Sequence, residues 1–160
     1  MCGYYNHPEK QCTCPPGSVQ KYLNKVSGPL LDRIHLHVEV TPVSFSELSN
    51  QTKGESSADI RERVIKAREI QAIRYADQPG IYANAHMSSK QLREICIIGQ
   101  VGENLLKKAM ERLNLSARAY DRILKVSRTI ADLAESDDIK PEYLAEAIHY
   151  RSLDREGWAG

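Results

Sequence analysis

Three of the four cysteines fall within the first fourteen residues, as Cys2, Cys12 and Cys14, in the spacing C-x9-C-x-C with His7 between them. Thiolates and imidazoles are the common ligands of zinc, and four of them close a structural tetrahedral site. The spacing is not a standard one, so the set reads first as a reduced, metal-free loop, with a truncated metal site at Cys2, Cys12 and Cys14 as the alternative. Four cysteines in 160 residues are too sparse for a disulfide scaffold. Cys96 follows Leu92 and Ile95 on the apolar side of an expected helix and reads as a core residue. A second set, His35, His37 and Glu39, occupies alternate positions and so shares one face of an extended strand. It offers a metal site or a polar sheet face. A third group is basic: Arg61, Arg63, Lys66, Arg68 and Arg74, interleaved with Asp59, Glu62, Glu69 and Asp77. Mixed signs read as a solvated, salt-bridged face. Nucleic-acid contact stays open, because phosphate binding depends on where positive charge is presented. Tyr4, Tyr5 and Tyr22 are too few for a stacking platform.

The elements that position these residues are bounded by composition. At 160 residues the chain is one domain, or one and a fragment. With 41% apolar and 27% charged residues it has the make-up of a globular protein. Its 22 basic and 21 acidic residues leave a net charge of +1, which excludes a generally basic nucleic-acid coat or an acidic tail. No apolar run approaches the roughly 18 residues of a membrane span, and the first residues lack a charged start followed by an apolar stretch. A cytoplasmic, unprocessed chain with no membrane partner is expected.

Residues 1–19 are rich in Cys, Pro, Gly and Tyr and read as a compact loop. A short helix is expected over 18–25, stopping at Ser27-Gly28-Pro29. Ile34, Leu36, Val38 and Val40 then alternate with polar residues, the pattern of a half-buried strand ending at Pro42. Residues 44–55 read as a linker, and the remainder as helical. Ser56 caps a helix with the stripe Ile60, Val64, Ala67 and Gln71, running to about Asp77. Ser88 or Ser89 starts another, burying Leu92, Ile95 and Cys96 and ending at Gly99. Val101, Leu105, Ala109 and Leu113 mark a third. The clearest helix starts at Ser116, with Tyr120, Ile123, Leu124, Ser127, Ile130, Ala131 and Ala134 at helical spacing. Asp121–Lys125 and Arg128–Asp132 lie on its opposite face as expected surface pairs. Pro141 opens the last helix, with Ile139 placed to staple onto Leu144. Five helices with short loops make a small antiparallel bundle over 56–155.

The run Ser27-Gly28-Pro29-Leu30-Leu31-Asp32-Arg33-Ile34 resembles the stretch that ends the core of AAA+ ATPases of the magnesium-chelatase and MCM-helicase branch. Leu115-Ser116-Ala117-Arg118-Ala119-Tyr120-Asp121-Arg122-Ile123-Leu124 resembles the sensor-2 helix of the same branch. With Thr129-Ile130-Ala131-Asp132-Leu133 and Tyr150-Arg151-Ser152-Leu153-Asp154-Arg155, the resemblance narrows to magnesium-chelatase-like ATPases of the ComM or YifB type. It covers nearly the whole chain.

That resemblance implies a mainly α chain. Residues 1–43 would be a remnant of the α/β ATPase core with a truncated Cys-rich loop, 44–55 a linker and 56–155 the helical lid. It makes Arg33 the arginine finger, acting on a neighbouring subunit's nucleotide, and Arg118 the sensor-2 residue. An always-charged, forked guanidinium suits both roles, since phosphoryl transfer spreads negative charge over the γ-phosphate oxygens. ATP and Mg2+ would be cofactors of the intact protein and not of this segment. The Gly-x-x-x-x-Gly-Lys-Ser/Thr loop is missing, and the nearest glycine pair, Gly99 and Gly102, is not followed by Lys-Ser or Lys-Thr. Where the family has Asn-Pro-Cys-Pro, Met1 stands directly before Cys2. The expectation is thus a C-terminal fragment, inactive alone, which has lost the sensor-1 Asn and one thiolate of a four-thiolate Zn2+ site in the parent. The implied partners are the protein's own N-terminal core, the neighbouring subunits of a homo-oligomeric ring such as a hexamer, and DNA, with no residue singled out for DNA contact. The implied work is DNA remodelling, such as branch migration in natural transformation. A chelatase-like or chaperone-like motor subunit and a free-standing helical adaptor are the alternatives.

Overall fold

Residues 1–5, 7, 9–40, 42–43, 48–49 and 54–151 are described by the computed structural model. Within them the chain forms α1 (Ser18–Leu23), α2 (Gly28–Arg33), α3 (Ser57–Arg74), a 3-10 turn (Asn84–His86), α4 (Ser89–Ile95), α5 (Gln100–Arg112), α6 (Ala117–Leu133) and α7 (Pro141–His149). The mainly helical architecture is as expected, and no strand occurs among the described residues. The expected linker lies largely outside those residues, as do 152–155. No helix of the described residues is long and apolar enough to cross a membrane.

Helix starts follow local chemistry. Ser56, Ser88 and Ser116 accept hydrogen bonds from the backbone N–H groups of Asp59, Gln91 and Ala119. Each such cap satisfies a donor that the first turn leaves orphaned and is worth about 1 kcal/mol. At Ser88 the Gln91 side chain reciprocates as a full capping box. Pro141 sits in the first turn of α7, and Ile139 and Leu144 flanking that start are both buried in the core.

Helix α6 is the centre of the bundle. The second half of α3, the 3-10 turn, α4 and α7 all pack against it, and α5 packs against α7. Ile123, Leu124 and Ala131 of α6 meet Met87, Leu92, Cys96, Leu106 and Leu144 in one apolar cluster. Gly102 is where α5 approaches α7: a Cβ there would stand 3.3 Å from Ile98 Cβ and 3.5 Å from Leu144 Cδ2.

Several expectations need correction. Ser27-Gly28-Pro29 starts a helix instead of ending one, because Pro at the first turn gives up only an N–H with no helical partner. Arg33 is accordingly the last residue of α2 and does not enter a strand. Residues 34–40 carry no ladder; their described backbone bonds run from Ile34 N–H back to the Leu31 carbonyl at 3.0 Å and from His37 N–H to the Tyr150 carbonyl at 2.8 Å. The burial phase is also inverted, with His37 buried and Ile34, Leu36, Val38 and Val40 exposed. Period-2 patterning reports extended backbone but cannot supply the neighbouring strand that a sheet requires. On α5 the inward residues are Gly102 and Leu106 rather than Val101, and Gly99 is the N-cap of α5, not the stop of α4. On α3, Ala67 and Gln71 are buried, whereas Ile60 and Val64 are exposed, since only the helix's second half reaches the bundle. Tyr120 and Ala134, at the ends of the α6 stripe, are exposed.

Candidate functional site

The two arginines singled out in the sequence lie 85 positions apart, and the residue next to Arg33, Asp32, meets the start of the helix that bears Arg118. Asp32, beside Arg33 in the last turn of α2, accepts a hydrogen bond from Ser116 Oγ at 2.7 Å on Oδ1. Its Oδ2 stands 3.8 Å from Arg118 Nη1, and its Oδ1 3.9 Å from Arg122 Nη1, which also donates to the Asp32 carbonyl. An acidic side chain at the start of α6 is favoured there by the orphaned N–H groups and the positive end of the helix dipole. Arg122 is mostly buried and acts as the fastener of this joint. Arg118 has 80% of its side chain exposed, so its long contact to Asp32 is a weak surface pair and its guanidinium remains accessible. Arg33 is exposed and makes no hydrogen bond or ion pair among the described residues. The elements in the α2–α6 contact thus carry two exposed arginines, Arg33 at the end of α2 and Arg118 in the first turn of α6.

A second clasp holds the same segment. Arg151 is fully buried at the end of α7 and donates to the Ile34 carbonyl. His37 Nε2 lies 3.3 Å from the Leu31 carbonyl. His35, by contrast, is exposed; local burial and then the positive charges of Arg122, Lys125 and Arg151 hold its pKa below the ordinary value. His35, His37 and Glu39 are not brought together, and the metal reading of that trio fails because His37 turns inward and His35 faces cations.

The N-terminal loop does gather its thiols. The sulfurs of Cys2, Cys12 and Cys14 all lie within 4.8 Å of one another. His7 is not in the cluster; its Nδ1 accepts from the N–H groups of Glu9 and Lys10. The cysteines border a pocket of about 480 Å³ that also includes Tyr5, Tyr22, Leu23 and Glu39. Cys96 is buried in the core as expected, and burial pushes its thiol up to about 11.

The basic face of α3 is neutralised rather than presented. Arg63 binds both oxygens of Glu55, at 2.5 and 3.1 Å, and Lys66 lies 3.7 Å from Glu62 and 3.4 Å from Glu135. Arg74 turns inward onto Asp132. Arg61 and Arg68 remain exposed.

Asp132 was misjudged by the helical pattern. The pair Arg128–Asp132 is not on the surface: Arg128 is 3% and Asp132 0% exposed. The Asp132 carboxylate accepts from Arg74 at 2.5 and 2.8 Å, from Arg128 Nε at 3.1 Å and from Asn84 Nδ2 at 2.7 Å. Asn84 also donates to Thr129 Oγ1 and accepts from Tyr75 OH and Arg74. Arg128 spends its remaining donors on the carbonyls of Ser136 and Asp137 beyond the end of α6. Two cations surround one anion, and the carbonyls at the helix C-terminus supply the balancing negative potential. The only sequence signal was polar residues crowded beside the apolar stripe. The other expected pair does not form: Asp121 accepts from Ser89 Oγ and Lys125 donates to the Ala85 carbonyl.

Comparison with known proteins identifies the family. Residues 54–151 match the family model described as magnesium chelatase, subunit ChlI C-terminal, and residues 1–48 match that of magnesium chelatase, subunit ChlI. The chain belongs to the magnesium chelatase ChlI family. Its bundle is that family's C-terminal domain, lid-like in the manner of AAA+ proteins. Among relatives, the competence protein ComM of Haemophilus influenzae is 44% identical over 141 residues, 88% of this chain and 27% of that protein. The uncharacterized protein YifB of Salmonella typhimurium is 38% identical over 154 residues, and that of Escherichia coli 39% over 155, in each case 96% of this chain and 29% of the relative. The chain thus spans under a third of the length of these ChlI-family relatives.

Proposed function

We propose that this chain is the C-terminal part of a magnesium-chelatase-related AAA+ ATPase, with residues 1–43 belonging to the nucleotide-binding core, 44–55 connecting, and 56–155 forming the lid. Arg33 acts as the arginine finger on a neighbouring subunit's ATP, and Arg118 as sensor 2. The observation that carries this reading is the Asp32 joint, which fixes α2 to the start of α6 and leaves both guanidinium groups accessible. A lid that reports nucleotide state needs such a connection, because movement of α6 must reach the segment that bears the finger. The exposed apolar edge of Ile34, Leu36, Val38 and Val40 also fits this arrangement, as a strand completing the core's sheet. ATP and Mg2+ are the cofactors of the whole ATPase, which works in the cytoplasm as a homo-oligomeric ring.

The substrate we propose is DNA, remodelled by branch migration during natural transformation. The support is the 44% identity to a competence protein. In the whole ring ATPase, Arg33→Ala should lower the hydrolysis rate by about 10³-fold or more while leaving nucleotide affinity within a few-fold, as the loss of a finger does elsewhere. Unchanged turnover would overturn the assignment. Fluorescence anisotropy with branched DNA at two salt concentrations checks the substrate, and absence of binding at low salt would overturn it.

A further inference from the structure

Three sulfurs at one point, with none of them covalently bonded, need an explanation. Cys2 Sγ lies 3.5 Å from Cys12 Sγ and 3.4 Å from Cys14 Sγ. A disulfide would bring two sulfurs to about 2.05 Å and leave the third out. A single tetrahedral zinc with bonds of about 2.3 Å separates its sulfur ligands by roughly 3.8 Å, close to the spacing seen. We propose that Cys2, Cys12 and Cys14 bind one zinc ion as three thiolates, closing residues 2–14 into a ring that abuts α1.

The surroundings of the sulfurs favour the charged form. The N–H of Cys2 donates to Cys14 Sγ at 3.2 Å, and the N–H of Tyr4 to Cys2 Sγ at 3.4 Å. Adjacent thiols cannot all ionise without a cation between them, since each thiolate opposes the next. A divalent ion removes that conflict and releases the remaining protons. Sulfur donors select zinc, copper(I) or iron–sulfur clusters, and the spacing here fits one tetrahedral ion. His7 is not the fourth donor. Its Nδ1 accepts two backbone N–H bonds, which puts its proton on Nε2 and leaves no lone pair for a metal. In this chain by itself the fourth position falls to water.

Cobalt(II) titration of the reduced chain tests the proposal, with metal content measured by mass spectrometry. One cobalt per chain is expected, with thiolate-to-cobalt charge-transfer absorption and the visible bands of tetrahedral cobalt, all abolished by equimolar Zn2+. Cys12→Ser and Cys14→Ser should each weaken binding by more than the roughly 10- to 100-fold that even an outer-sphere change costs. Cys96→Ser should leave it unchanged. Circular dichroism serves as the folding control, because the helical core of residues 54–151 contains none of the three ligands. A variant that keeps its helicity and its cobalt spectrum would overturn the site. So would a wild-type chain that takes up no metal, or one that instead loses two thiols to a disulfide. None of these readouts involves nucleotide, so the zinc site and the ATPase reading stand or fall separately.

Discussion

At the scale of single residues, this chain uses arginines in three distinct ways that sequence spacing does not separate. Arg128 and Arg151 are buried and bonded, Arg122 fastens a joint, and Arg33 and Arg118 are accessible. The burial of Asp132 makes a sharp prediction. Asp132→Asn retains shape but leaves the Arg74 and Arg128 guanidiniums without their anion, so urea denaturation should show a loss of about 3–5 kcal/mol. A loss below about 1 kcal/mol would mean that water relieves the site. Cysteine reactivity is separable in the same way. In metal-free protein the Cys2 thiol lies near 6 and that of Cys96 near 11. Since the thiolate is the nucleophile, alkylation of Cys2 should rise with pH through about 6 and be near its maximum at neutrality, while Cys96 stays unmodified until the chain unfolds. Peptide mass mapping after a brief iodoacetamide pulse checks both.

Secondary elements were mostly legible because their starts are local. Ser56, Ser88 and Ser116 announce three helices through hydroxyls that meet a backbone N–H three residues on, and Pro141 announces a fourth by a ring already set for the first turn. Facing is a different matter. Val101 and Gly102 are adjacent, yet at position 102 even a Cβ would be tight against Ile98 and in contact with Leu144, so the smaller residue faces in. Gly102→Val should therefore cost about 1–3 kcal/mol by overpacking, read from the thermal midpoint, whereas Val101→Ala should change it little. The strand expected over 34–40 failed for a related reason. An alternating pattern fixes backbone extension, but which face is buried depends on the neighbour, here Tyr150 and Arg151.

At the scale of the whole molecule, residues 28–37 are held to the bundle by Asp32 on α6 and by the end of α7, where Arg151 donates to the Ile34 carbonyl and the Tyr150 carbonyl accepts from His37 N–H. Asp32→Ala should speed amide exchange in α2 several-fold while leaving α3 to α7 protected, as hydrogen-exchange mass spectrometry would show. Uniform exchange throughout would mean that the joint carries no docking. The family and the helical bundle were determined by sequence alone, because caps, periodicity and contiguous runs are properties of short stretches of chain. Tertiary structure decided that Asp32 ties α2 to the start of α6, that three thiols from positions 2, 12 and 14 converge, and that Asp132 belongs inside. Each of these depends on which residues meet across tens of positions, and that is set by packing around α6, not by spacing along the chain.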